Sequence, residues 1–240
     1  MEVRGLGSRL CPRPRSGPWR SIAARGSATR ASAGIGRALV LGLALGTVAL
    51  AAAPTVAEAT DDPTAVVERL HAGMLAVMRE AGQLDYQQRF DRLVPALEQA
   101  YDFDFMARKS LGRAYDGLDP ASQERWLALF RTYTIANYAG RFGKYHGQTF
   151  QTLGEEPSTQ ETVLVRTRLD DPGAETVDLN YRLRRSDAGW RVVDVYLKGT
   201  VSELALRRSD FGATLDRSGF ASLAQSLEGK IADLAAGKVK

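Results

Sequence analysis

The chain has 240 residues and a formal net charge of +4, but residues 60–240 carry 24 lysines and arginines against 26 acidic residues, a net charge of −2. This balance excludes nucleic-acid binding through a broad basic field. The one cysteine is Cys11, so residues 60–240 must build a core without disulfides, which about 180 residues can do as a single domain.

The first 59 residues have the three parts of a secretory signal peptide. Residues 1–37 contain eight arginines, residues 38–53 carry no charge, and Ala57-Glu58-Ala59 is a small-x-small cleavage site. The uncharged stretch is shorter than the roughly 20 residues of a membrane-spanning helix. The pattern therefore predicts export and cleavage near Ala59, with retention as an N-terminal anchor as the alternative.

Helical periodicity dominates residues 62–142. Asp62-Pro63 supplies an N-cap and a first-turn proline, and apolar residues at helical spacing follow it and recur over 86–101. Pro95 should kink or split this second helix. The short segment 103–111 then precedes the longest predicted helix, which Asp119-Pro120 opens.

From residue 148 the apolar residues recur with a period of two, which indicates β-strands. The clearest strand has Val177, Leu179 and Tyr181 alternating with polar residues. After the last strand, Lys198-Gly199 predicts a turn, and Thr200 and Glu203 have the spacing of a helix capping box. The predicted strands are 148–155, 161–169, 175–185 and 190–197, and helices over 201–217 and from Phe220 onward follow them.

Antiparallel hairpins with helices gathered before and after them predict an α+β fold for residues 60–240. One face of such a sheet packs on helices. A curved sheet and its covering helices can also enclose a pocket.

The sequence of residues 60–240 lacks a recognisable catalytic or metal-binding set. Cysteine is absent there, His71 and His146 lie in unrelated contexts, and no glycine-rich phosphate loop occurs. We therefore predict a protein that is not an enzyme and that needs no cofactor or metal. Asp194 shares a predicted strand face with Trp190 and Tyr196. It is either a tuned acid–base group or a structural one, and we favour the structural role because no histidine or second acid adjoins it.

Several motifs, in order, resemble the family of periplasmic lipid shuttles that contains MlaC, the toluene-tolerance proteins and the hopanoid-associated HpnM proteins. The matching segments are Phe103-Asp104-Phe105 with Leu111-Gly112, the helix 123–138, Asp178-Leu-Asn-Tyr181, Trp190-Arg-Val-Val-Asp194, and 199–211 with 219–227. The phospholipid shuttles have Gly-x-Ser after the last strand, whereas this chain has the longer Gly199-Thr-Val-Ser202. That difference favours the hopanoid-associated branch.

The resemblance implies a twisted antiparallel sheet of about four strands, packed with N- and C-terminal helices around a hydrophobic cavity. It implies a soluble periplasmic carrier of phospholipid or of a hopanoid-like lipid. The implied partners are an inner-membrane ABC-type lipid transporter complex and an outer-membrane complex. We expect a cavity near the upper end of the ~300–1,000 Å³ range of ligand pockets, or larger, because two acyl chains must be sheltered.

Strand alternation and helix faces select the side chains that we predict to line this cavity. Two alternatives to a carrier remain open. One is an adaptor that only scaffolds a membrane transporter, and the other is a small enzyme on an NTF2-like fold that uses Asp194 with Tyr181 or Tyr196. The predicted lipid-binding residues are Phe105, Met106, Leu111, Tyr115, Phe130, Tyr133, Val165, Leu179, Tyr181, Val193, Val195 and Leu197.

Overall fold

The structure, a computed structural model, describes residues 62–238. These residues all belong to one compact unit, residues 54–240. The predicted signal peptide, residues 1–59, lies outside the described residues, so export and cleavage near Ala59 stay predictions.

The first two helices begin where the capping residues predict. Helix α1 spans Pro63–Glu80, and the Asp62 side chain accepts a hydrogen bond from the Thr64 N–H. A short 3-10 turn leads to α2, Tyr86–Ala100. The prediction that Pro95 splits α2 is wrong, because the helix continues through it. Pro95 has no N–H to donate to the Asp91 carbonyl four residues earlier. Both residues are exposed, so water can donate to that carbonyl instead.

Helix α3, Phe103–Leu111, and the short α4, Arg113–Asp116, precede the long helix α5, Pro120–Arg141. The Asp102 carboxylate caps α3 and forms an ion pair of 2.7 Å with Arg184 on the sheet. The indole N–H of Trp126 donates to the Ala107 carbonyl at 2.9 Å. Asp102 and Ala107 therefore attach α3 to the sheet and to α5.

The sheet has five antiparallel strands in the order β1-β2-β3-β4-β5, so each strand pairs with its neighbours in sequence. The four predicted strands are confirmed, and β5 is a further strand of two residues. The α+β prediction is also confirmed. The strands are Thr149–Ser158, Thr162–Asp170, Val177–Ser186, Gly189–Leu197 and Val201–Ser202.

The connection from β4 to the last helix turns tightly at Lys198 and Gly199, which both have positive φ. Helix α6 then spans Glu203–Ala235. Its N-cap is Ser202, whose hydroxyl accepts from the Ala205 N–H at 2.9 Å, so the predicted capping box starting at Thr200 is wrong. The helix is broken at Gly219, where φ is 75° and ψ is 173°, which accounts for the two helices predicted there.

The core lies between the helices and one face of the sheet. The largest fully buried side chains include Trp126 and Phe130 of α5, Leu93 of α2 and Tyr181 of β3. Among the described residues, none of the helices combines the length and the apolar character that crossing a membrane requires.

Candidate binding cavity

A cavity of about 580 Å³ lies between one face of the sheet and the ends of three helices. Helix α1 and the C-terminal half of α5 supply two walls, and the first turns of α6 supply a third. The apolar and aromatic side chains that line it are Met74, Met78, Tyr133, Tyr138, Phe142, Phe150, Leu169, Val177, Leu179, Tyr181, Val195, Leu197 and Leu206.

Strand alternation explains the wall that the sheet provides. Residues of β3 and β4 that face each other across the ladder point to the same side, and Tyr181 is paired with Val195 and Leu179 with Leu197. A bulge in β4 adds Val193 between two registered pairs, so the alternation used to group Val193 with Val195 is interrupted there.

Five of the twelve predicted lipid-binding residues line this cavity. They are Tyr133, Leu179, Tyr181, Val195 and Leu197. The structure brings them together from α5 and two strands. Their contact with lipid stays a prediction.

The other seven predicted residues lie outside the cavity lining. Phe130 and Val165 are buried in the core, and Phe105 lies beneath the Arg184 guanidinium at 4.4 Å. Apolar periodicity identifies a buried face, but it does not tell whether a void or another helix covers that face. The remaining four are core side chains of α3, α4 and β4, namely Met106, Leu111, Tyr115 and Val193.

Sequence reasoning missed the contributions of α1 and α6. Met74 and Met78 lie on the apolar face predicted for α1, and Leu206, which is 50% exposed, lies on α6 at the edge of the cavity. The apolar periodicity of α1 shows which face of the helix is buried. It does not show that this face lies against strands about a hundred residues later in the chain.

A second opening, a groove of about 1010 Å³, lies between α1, α2 and the β3–β4 hairpin. Its large apolar side chains are Val66, Leu70, Val77 and Trp190. The rest of its lining includes Arg69, Arg92 and other charged side chains. We therefore take the smaller cavity as the candidate site, because many more large apolar and aromatic side chains line it.

His71 of α1 supports the cavity wall from behind. Its Nε2 lies 3.1 Å from the hydroxyl oxygen of Tyr181, and its ring stacks on Phe150 with centroids 3.9 Å apart. Burial away from water lowers the pKa of His71 from 6.5 to about 3. The imidazole is therefore neutral at neutral pH.

This pKa predicts an acid-sensitive fold. The unfolded chain binds a proton at His71 below about pH 6.5, but the folded chain does not until about pH 3. The free energy of unfolding should therefore carry no penalty from His71 above pH 6.5. It should fall as the pH drops from 6.5 to 3. Relative to His71→Gln, the wild type should lose about 2 kcal/mol of unfolding free energy between pH 7 and pH 5, measured by urea denaturation. Equal losses in both proteins would contradict the prediction.

Two of the tyrosines that line the cavity are Tyr138 and Tyr181, and a further tyrosine, Tyr101, lies behind Tyr138. The hydroxyl groups of Tyr101 and Tyr138 are hydrogen-bonded to each other. Burial raises the pKa of both phenols. It also raises the pKa of Tyr181, and the nearby Tyr138 raises that pKa further. All three are therefore neutral hydroxyl groups under ordinary conditions.

Charged residues surround the entrance. Arg207 of α6 donates to the Thr134 hydroxyl at 2.7 Å, pairs with Glu203 at 3.2 Å, and lies over the Tyr133 ring. The other charged lining residues are Arg141, Lys144, Asp171 and Asp210. Such an entrance keeps a polar group in water while apolar groups enter the cavity.

Asp194 has a structural role in this geometry. Its carboxylate accepts hydrogen bonds from the Val195 N–H at 2.8 Å, the Ser202 hydroxyl at 2.6 Å and the Leu204 N–H at 3.1 Å. Burial raises its pKa. It does not line the cavity, and in the described part of the chain its hydrogen bonds reach neither Tyr181 nor Tyr196. Asp194 therefore joins β4 to the start of α6.

Residues 62–238 contain no group of three or more His, Cys, Asp and Glu side chains arranged to hold a metal ion. An α+β fold with an apolar cavity between sheet and helices is the architecture of a protein that binds a hydrophobic ligand. The chain belongs to the MlaC family, whose model matches residues 68–229. This membership supports the prediction that the chain is not an enzyme.

A solved structure has the same fold. It is a phospholipid-binding protein from Ralstonia solanacearum, determined in complex with a phospholipid, and it is 24% identical to this chain with a TM-score of 0.64. The match covers 72% of this chain and 99% of the Ralstonia protein. The family model and this structure do not distinguish the hopanoid-associated branch from the rest of the family.

Proposed function

We propose that this protein is a carrier that binds a lipid in the 580 Å³ cavity and moves it between membranes. The observation that carries the proposal is the apolar cavity itself, enclosed by the fold of a family that includes MlaC. The phospholipid held by the Ralstonia protein of the same fold supports a lipid as the ligand.

The physical need for such a carrier is large. Burying one CH₂ group is worth about 0.8 kcal/mol, so two chains of about 16 carbons would lose on the order of 25 kcal/mol on entering water. A carrier lowers this barrier because the acyl chains pass from the apolar interior of a membrane into an apolar cavity. No covalent step is required, which agrees with a site built without a catalytic group.

The size of the cavity bears on the adaptor alternative. At about 580 Å³ it is smaller than we expected from the sequence, but it lies in the middle of the ~300–1,000 Å³ range of pockets that hold small ligands. An adaptor that only scaffolds a transporter would have no use for such a space. We therefore favour the carrier.

The compartment and the partners are part of the proposal. Export by the Arg-rich leader places the carrier in the periplasm, where it exchanges lipid with an inner-membrane ABC-type transporter complex and an outer-membrane partner. These assignments depend on the leader of residues 1–59 and on the resemblance to the periplasmic shuttles. The ligand is a phospholipid or a hopanoid-like lipid. The length of the Gly199–Ser202 segment favours a hopanoid-like lipid, whereas the phospholipid in the Ralstonia protein favours a phospholipid.

Mass spectrometry of the purified protein tests the proposal directly. The full chain is expressed, purified without detergent and extracted with organic solvent. We expect one lipid class in near-stoichiometric amount, and its mass separates a glycerophospholipid from a hopanoid. A protein that is consistently empty and that also takes up no lipid from vesicles would refute the carrier function.

A further inference from the structure

Two polar groups interrupt the apolar wall of the cavity. Tyr138 of α5 and Tyr181 of β3 both line it, and each hydroxyl is backed by one protein partner, Tyr101 or His71. Tyr101 and Tyr181 are only 4% and 1% exposed. A hydroxyl group beside an apolar cavity costs free energy unless it is hydrogen-bonded, so the number of donors and acceptors at this point matters.

The Tyr101–Tyr138 pair has one more donor than it can use. Each phenol has one O–H, and a bond between two hydroxyls uses one of the two protons. Neither hydroxyl has another hydrogen-bond partner among residues 62–238. Tyr101 is buried and does not line the cavity, whereas Tyr138 does. If Tyr101 donates to Tyr138, the Tyr138 proton is left for an acceptor in the cavity, and every donor is used.

Tyr181 can adjust to such a ligand. Neutral His71 has one N–H, so its Nε2 either accepts the Tyr181 proton or donates to the Tyr181 oxygen. In the second case the Tyr181 O–H is also available to an acceptor. The cavity thus has two hydroxyl donors. Tyr138 accepts from Tyr101 and can donate into the cavity, and Tyr181 can do so when His71 donates to it.

We propose that Tyr138 donates a hydrogen bond to an ester carbonyl oxygen of the bound lipid, so that the cavity selects lipids with ester-linked chains. This inference rests on the proposed carrier function and names its substrate class. An ester carbonyl is a strong acceptor on the hydrophobic part of a lipid, whereas an ether oxygen in the same position is a weaker one. A purely hydrocarbon ring system would leave the Tyr138 proton without an acceptor.

A competition between two lipids tests the selection. The full-length protein is incubated with mixed vesicles of diester and dialkyl-ether glycerophosphocholine with the same chain length, in equal amounts. The ratio of the two lipids recovered with the protein is measured by mass spectrometry. One neutral hydrogen bond predicts a roughly threefold to tenfold preference for the ester lipid in the wild type. In Tyr138→Phe the ratio should fall to about one.

Two further variants control for changes in folding. Tyr145→Phe removes the same atom from a tyrosine that is 36% exposed and does not line the cavity, and it should keep the wild-type ratio. The double variant Tyr101→Phe with Tyr138→Phe leaves no buried hydroxyl without its partner, and it should show the same loss of preference as Tyr138→Phe.

The outcomes separate this inference from the carrier function. A wild-type ratio of one, or an unchanged preference in Tyr138→Phe or in the double variant, overturns the inference while the carrier function stands. An equal loss of preference in Tyr145→Phe, which lies outside the cavity lining, overturns the assignment to Tyr138. Recovery of neither lipid with the wild type refutes the carrier function, and this inference with it.

Discussion

Replacing Leu179 by tryptophan should empty the cavity of lipid and leave the fold intact. Leu179 lines the cavity from β3, opposite Leu197, and it is only partly buried. The larger indole ring therefore extends into the void rather than into the packed core, where it would force neighbouring side chains apart. We expect the lipid recovered per protein molecule to fall at least about tenfold, which corresponds to roughly 1.4 kcal/mol of binding free energy.

Leu153→Trp is the matched control for this experiment. Leu153 is on β1, is 43% exposed and does not line the cavity, so the same substitution there should leave lipid recovery unchanged. Thermal melting of both variants checks that the fold persists. Wild-type lipid recovery in a folded Leu179→Trp protein would mean that lipid binds elsewhere, and the groove between α1 and α2 would be the next site to examine.

Replacing Asp194 by alanine should destabilise the protein strongly. The substitution leaves the Ser202 hydroxyl and the Leu204 N–H without their acceptor, at a place where β4, β5 and α6 meet. Unsatisfied groups of this kind, one of them an N–H in the first turn of α6, cost about 3 kcal/mol together. For a domain of this size that corresponds to a melting temperature lower by roughly 6–12 °C.

Asp178→Ala provides the comparison for Asp194→Ala. Asp178 lies on β3, the strand paired with β4, and it forms a 2.9 Å ion pair with Arg168 in which both side chains are more than 40% exposed. Surface pairs contribute at most about 1 kcal/mol, so this variant should melt close to the wild type. If Asp194→Ala were no less stable than Asp178→Ala, the structural role of Asp194 would be wrong.

Local signals in the sequence predicted much of the fold. The caps Asp62 and Asp119 mark the starts of α1 and α5 because an N-cap depends only on residues two or three positions apart. The alternation of Val177, Leu179 and Tyr181 identified the strand face that lines the cavity, because side-chain direction in a strand has a period of two.

The parts that could not be predicted depend on contacts between distant residues. Thr200 and Glu203 have capping-box spacing, but the Asp194 carboxylate from the preceding strand reaches Leu204 and Ser202, and Ser202 becomes the cap. His71 and Tyr181 are 110 residues apart. No periodicity within either segment indicates that these two side chains meet.

The order of the strands has a consequence for how the domain assembles. Each strand pairs with the one next to it in sequence, so the sheet can form from successive hairpins with short loops to close. The cavity has no such local route, since it needs α1 to reach strands formed about a hundred residues later, as in the contact of His71 with the cavity residue Tyr181. Joining α1 to the sheet therefore closes a much longer loop than any of the hairpins does, at a higher entropic cost than any one of them. The binding site is completed only when the two ends of the domain come together.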